Sequence, residues 1–172
     1  LPLIERLRTW QPGEAAAILA TLRLHQSRFA EATDALESAF TSFRRDPWAL
    51  TRFKLKALDT AVLIATADRQ QARRLFMALR LPFSIRATQE VRLTTATDLA
   101  RIADFPGLCA GAIGAFEPHV PWNREFLAMR ADCYAQVHDP RAGAADADLR
   151  TFLAGEALPL SAGVSVVAPS GH

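Results

Sequence analysis

The most informative helical pattern in this 172-residue chain lies in residues 28–47, RFAEATDALESAFTSFRRDP. Its apolar residues recur at steps of three and four, which places them on one face of an α-helix. They are Phe29, Ala32, Leu36, Ala39, Phe40 and Phe43. The preceding residues 14–26 are also helical in pattern, with Ile18, Leu19 and Leu22 on the inner side. Since a helical hairpin cannot bury its apolar face alone, the pattern predicts further hairpins along the chain.

Prolines and glycines divide the rest of the chain into amphipathic segments, as expected for helix boundaries. We predict a short leading helix and four hairpins, over residues 3–10, 14–26 with 28–44, 48–66 with 68–80, 86–104 with 107–117, and 122–137 with 141–153. The helix over 48–66 is expected to be the most buried, because large apolar residues spread around it: Trp48, Phe53, Leu58, Val62 and Ile64.

The second helix of each predicted hairpin carries a small residue followed four positions later by a large apolar one. These pairs are Ala32/Leu36, Ala72/Phe76, Ala112/Phe116 and Ala145/Leu149, at spacings of 40, 40 and 33 residues. Small residues let neighbouring helices approach, and large ones fill the groove beyond. The predicted fold is therefore all-α, a right-handed superhelical stack of about four antiparallel hairpins over residues 1–154.

Residues 155–172 are predicted to form a tail or linker, because Gly, Ser and Pro increase there. The alternative is an extended segment lying along the helices, suggested by the β-prone run Val164, Val166 and Val167.

The first and last hairpins resemble the tetratricopeptide repeat (TPR) family. In the first, the packing positions are Leu19, Phe29, Ala32, Leu36 and Ala39, and Asp46–Pro47 is similar to the closing Asp-Pro of the repeat. In the last, the matching residues are Ala131, Tyr134 and the turn Val137-His138-Asp139-Pro140. The usual early aromatic residue is Ala16 here, the usual glycine is Ala20, and the middle hairpins match only in periodicity. The resemblance implies a shape and no activity.

Two further segments are similar to the helical tails that follow spermidine-synthase-like domains in some bacterial proteins. They are Asp46-Pro47-Trp48 and Glu117-Pro118-His119-Val120-Pro121-Trp122. The catalytic core of such enzymes requires a Gly-rich loop after a strand, and this sequence has none. The chain begins at Leu1, so we expect an excised or processed piece of a longer protein.

Composition argues against several classes of partner. The formal net charge is only +2, and Lys54 and Lys56 are the only lysines among 20 basic residues. No run of basic residues exceeds two, so we predict no nucleic-acid partner. The apolar run near the middle, residues 61–65, is far shorter than the ~20 residues that span a bilayer, so we predict no membrane partner. No signal peptide is visible, and we expect a cytoplasmic protein.

The residues that could carry chemistry are scattered. The histidines show no metal-ligand spacing, no Ser or Cys lies in a catalytic motif, and we predict no metal, no cofactor and no catalytic residue. We interpret His25 and His138 as cations at helix C-termini. Gly111 and Gly114 are expected to permit close helix crossing. Cys109 and Cys133, 24 residues apart, are expected to be buried apolar side chains in helices, with a disulfide as the alternative.

Binding is the function that the pattern favours. In stacked hairpins the first helices line the concave side, where ligands are held. The candidate partner-binding residues on those helices are Thr21, His25, Arg52, Lys56, Thr97, Arg101, Arg130 and Tyr134. The sequence thus predicts a non-catalytic interaction module for a protein or an acidic peptide, with a second copy of the chain as a further candidate partner. The alternative is an accessory helical portion of a larger enzyme, such as a spermidine-synthase-like one, with no ligand of its own.

Overall fold

The computed structural model describes residues 2–104 and 106–156 of the chain. These residues form α-helices and one short 3-10 helix, with no strand among them, which confirms the predicted all-α class. The helices are α1 (Pro2–Arg8), α2 (Pro12–His25), α3 (Phe29–Arg45), α4 (Thr51–Ala67), α5 (Arg69–Leu79), the 3-10 helix (Arg86–Thr88), α6 (Gln89–Ile102), α7 (Pro106–Gly114), α8 (Arg124–Gln136) and α9 (Ala142–Gly155). Of the predicted tail, residues 155–172, Gly155 is the last residue of α9, and residues 157–172 lie outside the described residues.

The α2–α3 hairpin is built as the opening sequence predicts. The apolar stripe of α3 is buried, with Leu36, Phe40 and Phe43 fully removed from solvent. Gly13 lies at the start of α2 against Phe43, and a Cβ added there would be 2.7 Å from the Phe43 ring. The absence of a side chain at Gly13 therefore lets the first turn of α2 approach the end of α3 closely.

Three hairpins share one turn geometry. Ser27, Asp104 and His138 each follow a first helix by two positions, and their φ angles are 56°, 57° and 52°. The Ser27 N–H donates to Leu24 O at 2.9 Å, and the His138 N–H donates to Ala135 O at 3.1 Å. This left-handed residue reverses the chain and satisfies helix-end carbonyls, as in a Schellman motif. The turn at His138 is thus a backbone feature, and no hydrogen bond of its imidazole, nor of that of His25, is present among the described residues.

The helices form a row that is regular in its first part. The first helices α2, α4 and α6 contact one another in order, and the second helices α3 and α5 do the same. Helix α7 pairs with α6, but among the described residues none of its Cα atoms lies within 8 Å of one in α5. Among the described helices, only α7 and α9 have Cα atoms within 8 Å of those in α8, and α8 meets α6 through the side chains of Met129 and Arg101. The expected packing of the Ala72/Phe76 helix against the Ala112/Phe116 helix is therefore wrong.

The segment between α5 and the 3-10 helix packs into the hydrophobic core beside α3. Phe83 lies 5.8 Å from both Phe40 and Phe43, measured between ring centroids. The Ser84 N–H donates to Phe43 O at 3.1 Å, and its hydroxyl donates to Asp46 O at 2.8 Å. Trp48 was expected to belong to the most buried helix, but its side chain is 88% exposed. Trp48 precedes α4 and does not belong to it.

Cys109 of α7 and Cys133 of α8 form a disulfide, with Cα atoms 5.7 Å apart. Both side chains are buried in helices, as predicted, but the expectation that they stay unpaired is wrong. The reason is the geometry of the helix crossing, which brings the two Cβ atoms together and cannot be read from a 24-residue spacing.

An unexpected pair of opposite charges is buried between the first helices. Lys54 of α4 is wholly buried, and its Nζ donates no hydrogen bond within the described residues. Glu14 of α2 is almost equally buried; its Oε1 accepts from the Leu50 N–H at 3.0 Å, and its Oε2 accepts no hydrogen bond. Burial lowers the pKa of Lys54, while Asp46 and Glu14 oppose that shift.

Replacing this pair by Glu14→Gln and Lys54→Met together is expected to raise the free energy of unfolding at pH 7 by about 1–2 kcal/mol, because two poorly hydrogen-bonded charges leave the core. In the wild type, the unfolded chain holds the lysine proton more tightly than the folded one. Stability should therefore rise as the pH climbs from the lowered pKa towards 10.5, the value of a free lysine.

Urea unfolding of both proteins at several pH values between 7 and 10.5 measures these two effects. The exposed neighbour variant Lys56→Met is the matched control and should change stability by less than about 0.5 kcal/mol. A double variant that is less stable than the wild type, or one that keeps the same alkaline gain, would contradict this account.

Candidate functional site

The structure separates the eight predicted binding residues into three groups by their exposure to solvent. Four are exposed on the surface: His25 at the end of α2, Arg52 and Lys56 on α4, and Arg101 on α6. Thr21 is half-buried, and its hydroxyl lies 3.4 Å from that of Thr60. The other three, Thr97, Arg130 and Tyr134, are buried, so the expectation that they face a partner is wrong in this fold.

The exposed side of α4 is the most interface-like of the predicted positions. One helix face is shared by residues at positions i, i+3, i+4, i+7 and i+11, which are Arg52, Leu55, Lys56, Asp59 and Leu63. Leu55 is 36% exposed and Leu63 is 52% exposed, beside the two cations. Apolar side chains on a face with cations can bury area and set partner charge at the same time.

Arg101 lies over a small crevice between the third and fourth hairpins. Its Nη1 is 3.9 Å from the sulfur of Met129. The crevice has a volume of about 170 Å³ and is lined by Ala100, Arg101, Asp104, Cys109, Met129, Asp132, Cys133 and Gln136. The disulfide forms part of its wall, and the carboxylates of Asp104 and Asp132 offset the charge of Arg101. This crevice is therefore a mixed polar surface and not a basic one.

Arg130 is the centre of an internal network and not of a binding face. Its Nε donates to Glu117 Oε1 at 2.9 Å, and its Nη1 donates to Asp148 Oδ2 at 2.6 Å. The Tyr134 hydroxyl donates to the same Glu117 oxygen at 3.2 Å. Burial raises the pKa of Tyr134, so the phenol remains a hydrogen-bond donor. The network joins the loop after α7, helix α8 and helix α9.

Sequence reasoning missed the residue that completes this cluster. The Arg141 guanidinium lies over the Tyr134 ring at 4.4 Å from its centroid. Its Nε and Nη2 donate to the two oxygens of Asp139 at 2.9 Å and 2.8 Å. These hydrogen bonds lower the pKa of Asp139 to about 2. The only sequence signal was the Val137-His138-Asp139-Pro140 turn, which the TPR resemblance explained without assigning a role to Arg141.

The described residues offer little for catalysis or metal binding. No group of three or more His, Cys, Asp or Glu side chains is gathered there in a way that could hold a metal ion. Among the same residues, no helix combines the length and apolar character needed to cross a membrane.

Comparisons with family models, with curated proteins and with solved structures found no match to this chain. The TPR resemblance accordingly stays a prediction.

Proposed function

We propose that this chain is a non-catalytic interaction module that binds an acidic peptide or partner domain along its first helices. The observation that carries the proposal is the exposed face of α4, where Leu55 and Leu63 lie beside Arg52 and Lys56. Arginine is enriched among interface hot spots, and the exposed leucines beside it offer apolar area that a partner could bury. The contacts of α2 with α4 and of α3 with α5 support a TPR-like superhelical arrangement of the first two hairpins.

The preference for an acidic partner follows from the position of the charges. Arg52 and Lys56 are one turn apart near the start of α4, whereas Asp59 lies one further turn along. A partner segment with carboxylates opposite the first two residues and an apolar residue opposite Leu63 would match this order. Such pairing at the rim of an interface steers association and selects against basic partners.

Charge reversal at Arg52→Glu with Lys56→Glu should weaken binding of a matched acidic peptide by at least about tenfold, equivalent to about 1.4 kcal/mol. The probe is a 15-residue peptide selected from a random display library against the wild-type chain. Its affinity for each protein is then measured by fluorescence polarisation at two salt concentrations. The selected peptides should be enriched in Asp and Glu and should lose affinity at high salt.

Arg150→Glu on α9 is the matched control, because Arg150 is exposed and lies far along the chain from α4. It should bind the peptide as the wild type does. Selected peptides that lack acidic residues, or that bind the doubly reversed variant equally well, would remove α4 as the docking face.

The second candidate function, an accessory portion of a larger enzyme, is favoured by two tryptophans. Trp10 is 86% exposed and Trp48 is 88% exposed, and each precedes a first helix. They lie at the same end of the α2–α3 hairpin, because the Leu50 N–H reaches Glu14 in the first turn of α2. Large exposed aromatic side chains are typical of surfaces that pack against another domain. The open reading frame of the parent gene tests this candidate, since it requires a catalytic domain in the same chain.

A further inference from the structure

A cleft separates α5 from α7, and α6 forms its floor. Both outer helices contact α6, yet among the described residues their Cα atoms stay more than 8 Å apart. The cleft has a volume of about 430 Å³. This volume falls within the range of about 300–1,000 Å³ that is usual for small-molecule sites, and sites between packed helices are a common type.

The walls of the cleft are mostly apolar. Its lining residues are Phe76, Leu79, Arg80, Arg92, Leu93, Ala96, Gly107, Leu108, Gly111, Ala112 and Ala115. A Cβ added at Gly107 or Gly111 would meet no atom within 4 Å, so these two glycines face open space. The expectation that Gly111 permits close helix crossing is therefore wrong. Of the glycines in α7, only Gly114 has a close neighbour, since a Cβ added there would lie 3.0 Å from Nη1 of Arg141.

The charged residues of the cleft are both cations. Arg80 is exposed and Arg92 is only 3% exposed, and no carboxylate belongs to the lining. Arg92 donates from Nη1 to Leu79 O and from Nε to Gln89 Oε1. Its Nη2 makes no hydrogen bond to a described residue. A buried guanidinium without a carboxylate is costly, and an anion in the cleft would offset that cost.

A third arginine increases the positive potential at this end. Arg44 donates to Ala78 O, the carbonyl next to Leu79 at the end of α5. Burial lowers the pKa of Arg92, and the neighbouring charge of Arg44 lowers it further. No carboxylate oxygen of the described residues lies within 4.0 Å of a nitrogen of Arg44, Arg80 or Arg92. The described residues therefore supply no carboxylate that pairs with the excess positive charge at the cleft.

We propose that the α5–α7 cleft binds an amphiphilic carboxylate, with its aliphatic chain on the apolar walls and its head at Arg92 and Arg80. A planar guanidinium and a carboxylate match in shape and charge, and a low-dielectric wall strengthens their pairing. The aliphatic part fits because Phe76, Leu79, Leu93 and Leu108 offer no polar group to it. This site is separate from the α4 face, and it holds or fails independently of the proposed function.

The test is isothermal titration calorimetry of the full 172-residue chain with decanoate, decanol and acetate, each below its micellar or solubility limit. Decanoate should bind. Decanol lacks the carboxylate and acetate lacks the aliphatic chain. Each should bind at least about tenfold more weakly than decanoate, because charge pairing and apolar burial each contribute at least that factor to the affinity.

Two substitutions locate the site. Gly111→Leu should abolish decanoate binding by filling the cleft, and it should not impair folding, because open space surrounds the position and leucine favours a helix more than glycine does. Gly143→Leu on α9 is the matched control, since a Cβ there also meets nothing within 4 Å, and it should bind decanoate as the wild type does.

Arg80→Gln removes an exposed charge without disturbing the hydrogen bonds of Arg92, and it should weaken decanoate at least about threefold while leaving decanol unchanged. The proposal is overturned if decanoate does not bind the wild type, if decanol binds equally well, or if Gly111→Leu leaves decanoate affinity unchanged. The double variant Arg52→Glu with Lys56→Glu alters only the α4 face. It should therefore bind decanoate with the affinity of the wild type, whether or not it loses the acidic peptide.

Discussion

Replacing Arg130 by methionine is expected to lower the free energy of unfolding by about 2–3 kcal/mol, because the change leaves two carboxylates without their shared cation. The Arg130 side chain is 7% exposed and bridges Glu117, which precedes α8 in the chain, and Asp148, which follows α8. The two carboxylates keep part of their hydration, at 24% and 38% exposure, so the loss should stay below that of a fully buried pair. Chemical denaturation of the wild type and of Arg130→Met at pH 7 measures this loss of unfolding free energy.

The matched control is Arg150→Met, which also removes an arginine–aspartate pair. Arg150 pairs with Asp146 one turn earlier on α9, and both side chains are more than half exposed. Exposed pairs of this kind contribute about 0.3–0.5 kcal/mol, so this variant should be close to the wild type in stability. Equal losses in the two variants would show that Arg130 does not organise the last hairpin.

Rescue separates the charge network from the packing of the arginine stem. In the Arg130→Met background, Glu117→Gln with Asp148→Asn removes the two unpaired charges and should restore at least about 1 kcal/mol. The thermal shift of Glu117→Gln alone should be smaller than that of Arg130→Met, because Asp148 still neutralises the arginine. A triple variant no more stable than Arg130→Met would assign the whole loss to packing.

The sequence predicted the helices and the first hairpin well because their signals are local. The stripe of Leu36, Phe40 and Phe43 and the prolines at the boundaries each act within a few residues of their own position. Every described helix lies within about three residues of its predicted span, the usual accuracy of such boundaries.

The placement of Arg130 and Tyr134 was wrong because it depends on contacts outside their own helix. Both lie on a first helix at positions that would face the concave side of a regular array. In the structure no Cα atom of α8 lies within 8 Å of one in α6, and Glu117 in the loop after α7 pairs with Arg130 of α8. A long-range docking of this kind leaves no periodic signal in the sequence.

The cleft at α5 and α7 was missed for a related reason. The Ala112/Phe116 pair has the spacing of the other second helices, which predicted that α7 would stack on α5. The structure instead leaves Gly107 and Gly111 facing open space beside a buried Arg92. Small residues in a helix are compatible with a close neighbour and with a cavity, so pattern alone does not distinguish these two structures.

Reduction of the Cys109–Cys133 disulfide is expected to lower the free energy of unfolding by about 3 kcal/mol. The bond closes a loop over a sequence separation of 24 residues, and the entropy lost by the unfolded chain on such closure sets this magnitude. It also joins α8 to α7, and among the described helices before α8 only α7 has Cα atoms within 8 Å of it. Denaturation with and without reductant measures the loss.

The Cys109–Cys133 disulfide is also relevant to the cellular compartment predicted for the protein. Persistent disulfides are rare in reducing compartments and common in oxidising ones. The cytoplasmic location expected from the sequence stays a prediction, and a structural disulfide is evidence against a reducing environment for the folded chain. Mass measurement after alkylation, on protein isolated from its native source without reductant, reports the state of both thiols directly.

The position of the bond also predicts where the reduced protein should loosen. Hydrogen exchange should become faster in α8 and α9, whose only covalent cross-link to the described helices before them is this disulfide, and should stay unchanged in α2 and α4, which contact each other directly. The variant Cys109→Ser with Cys133→Ser is the matched control, since it should behave like the reduced wild type and should not respond to the reductant. If reductant slows exchange in α8 and α9 of the wild type or leaves it unchanged, the last hairpin is held by the contacts between α7 and α8 and not by the disulfide.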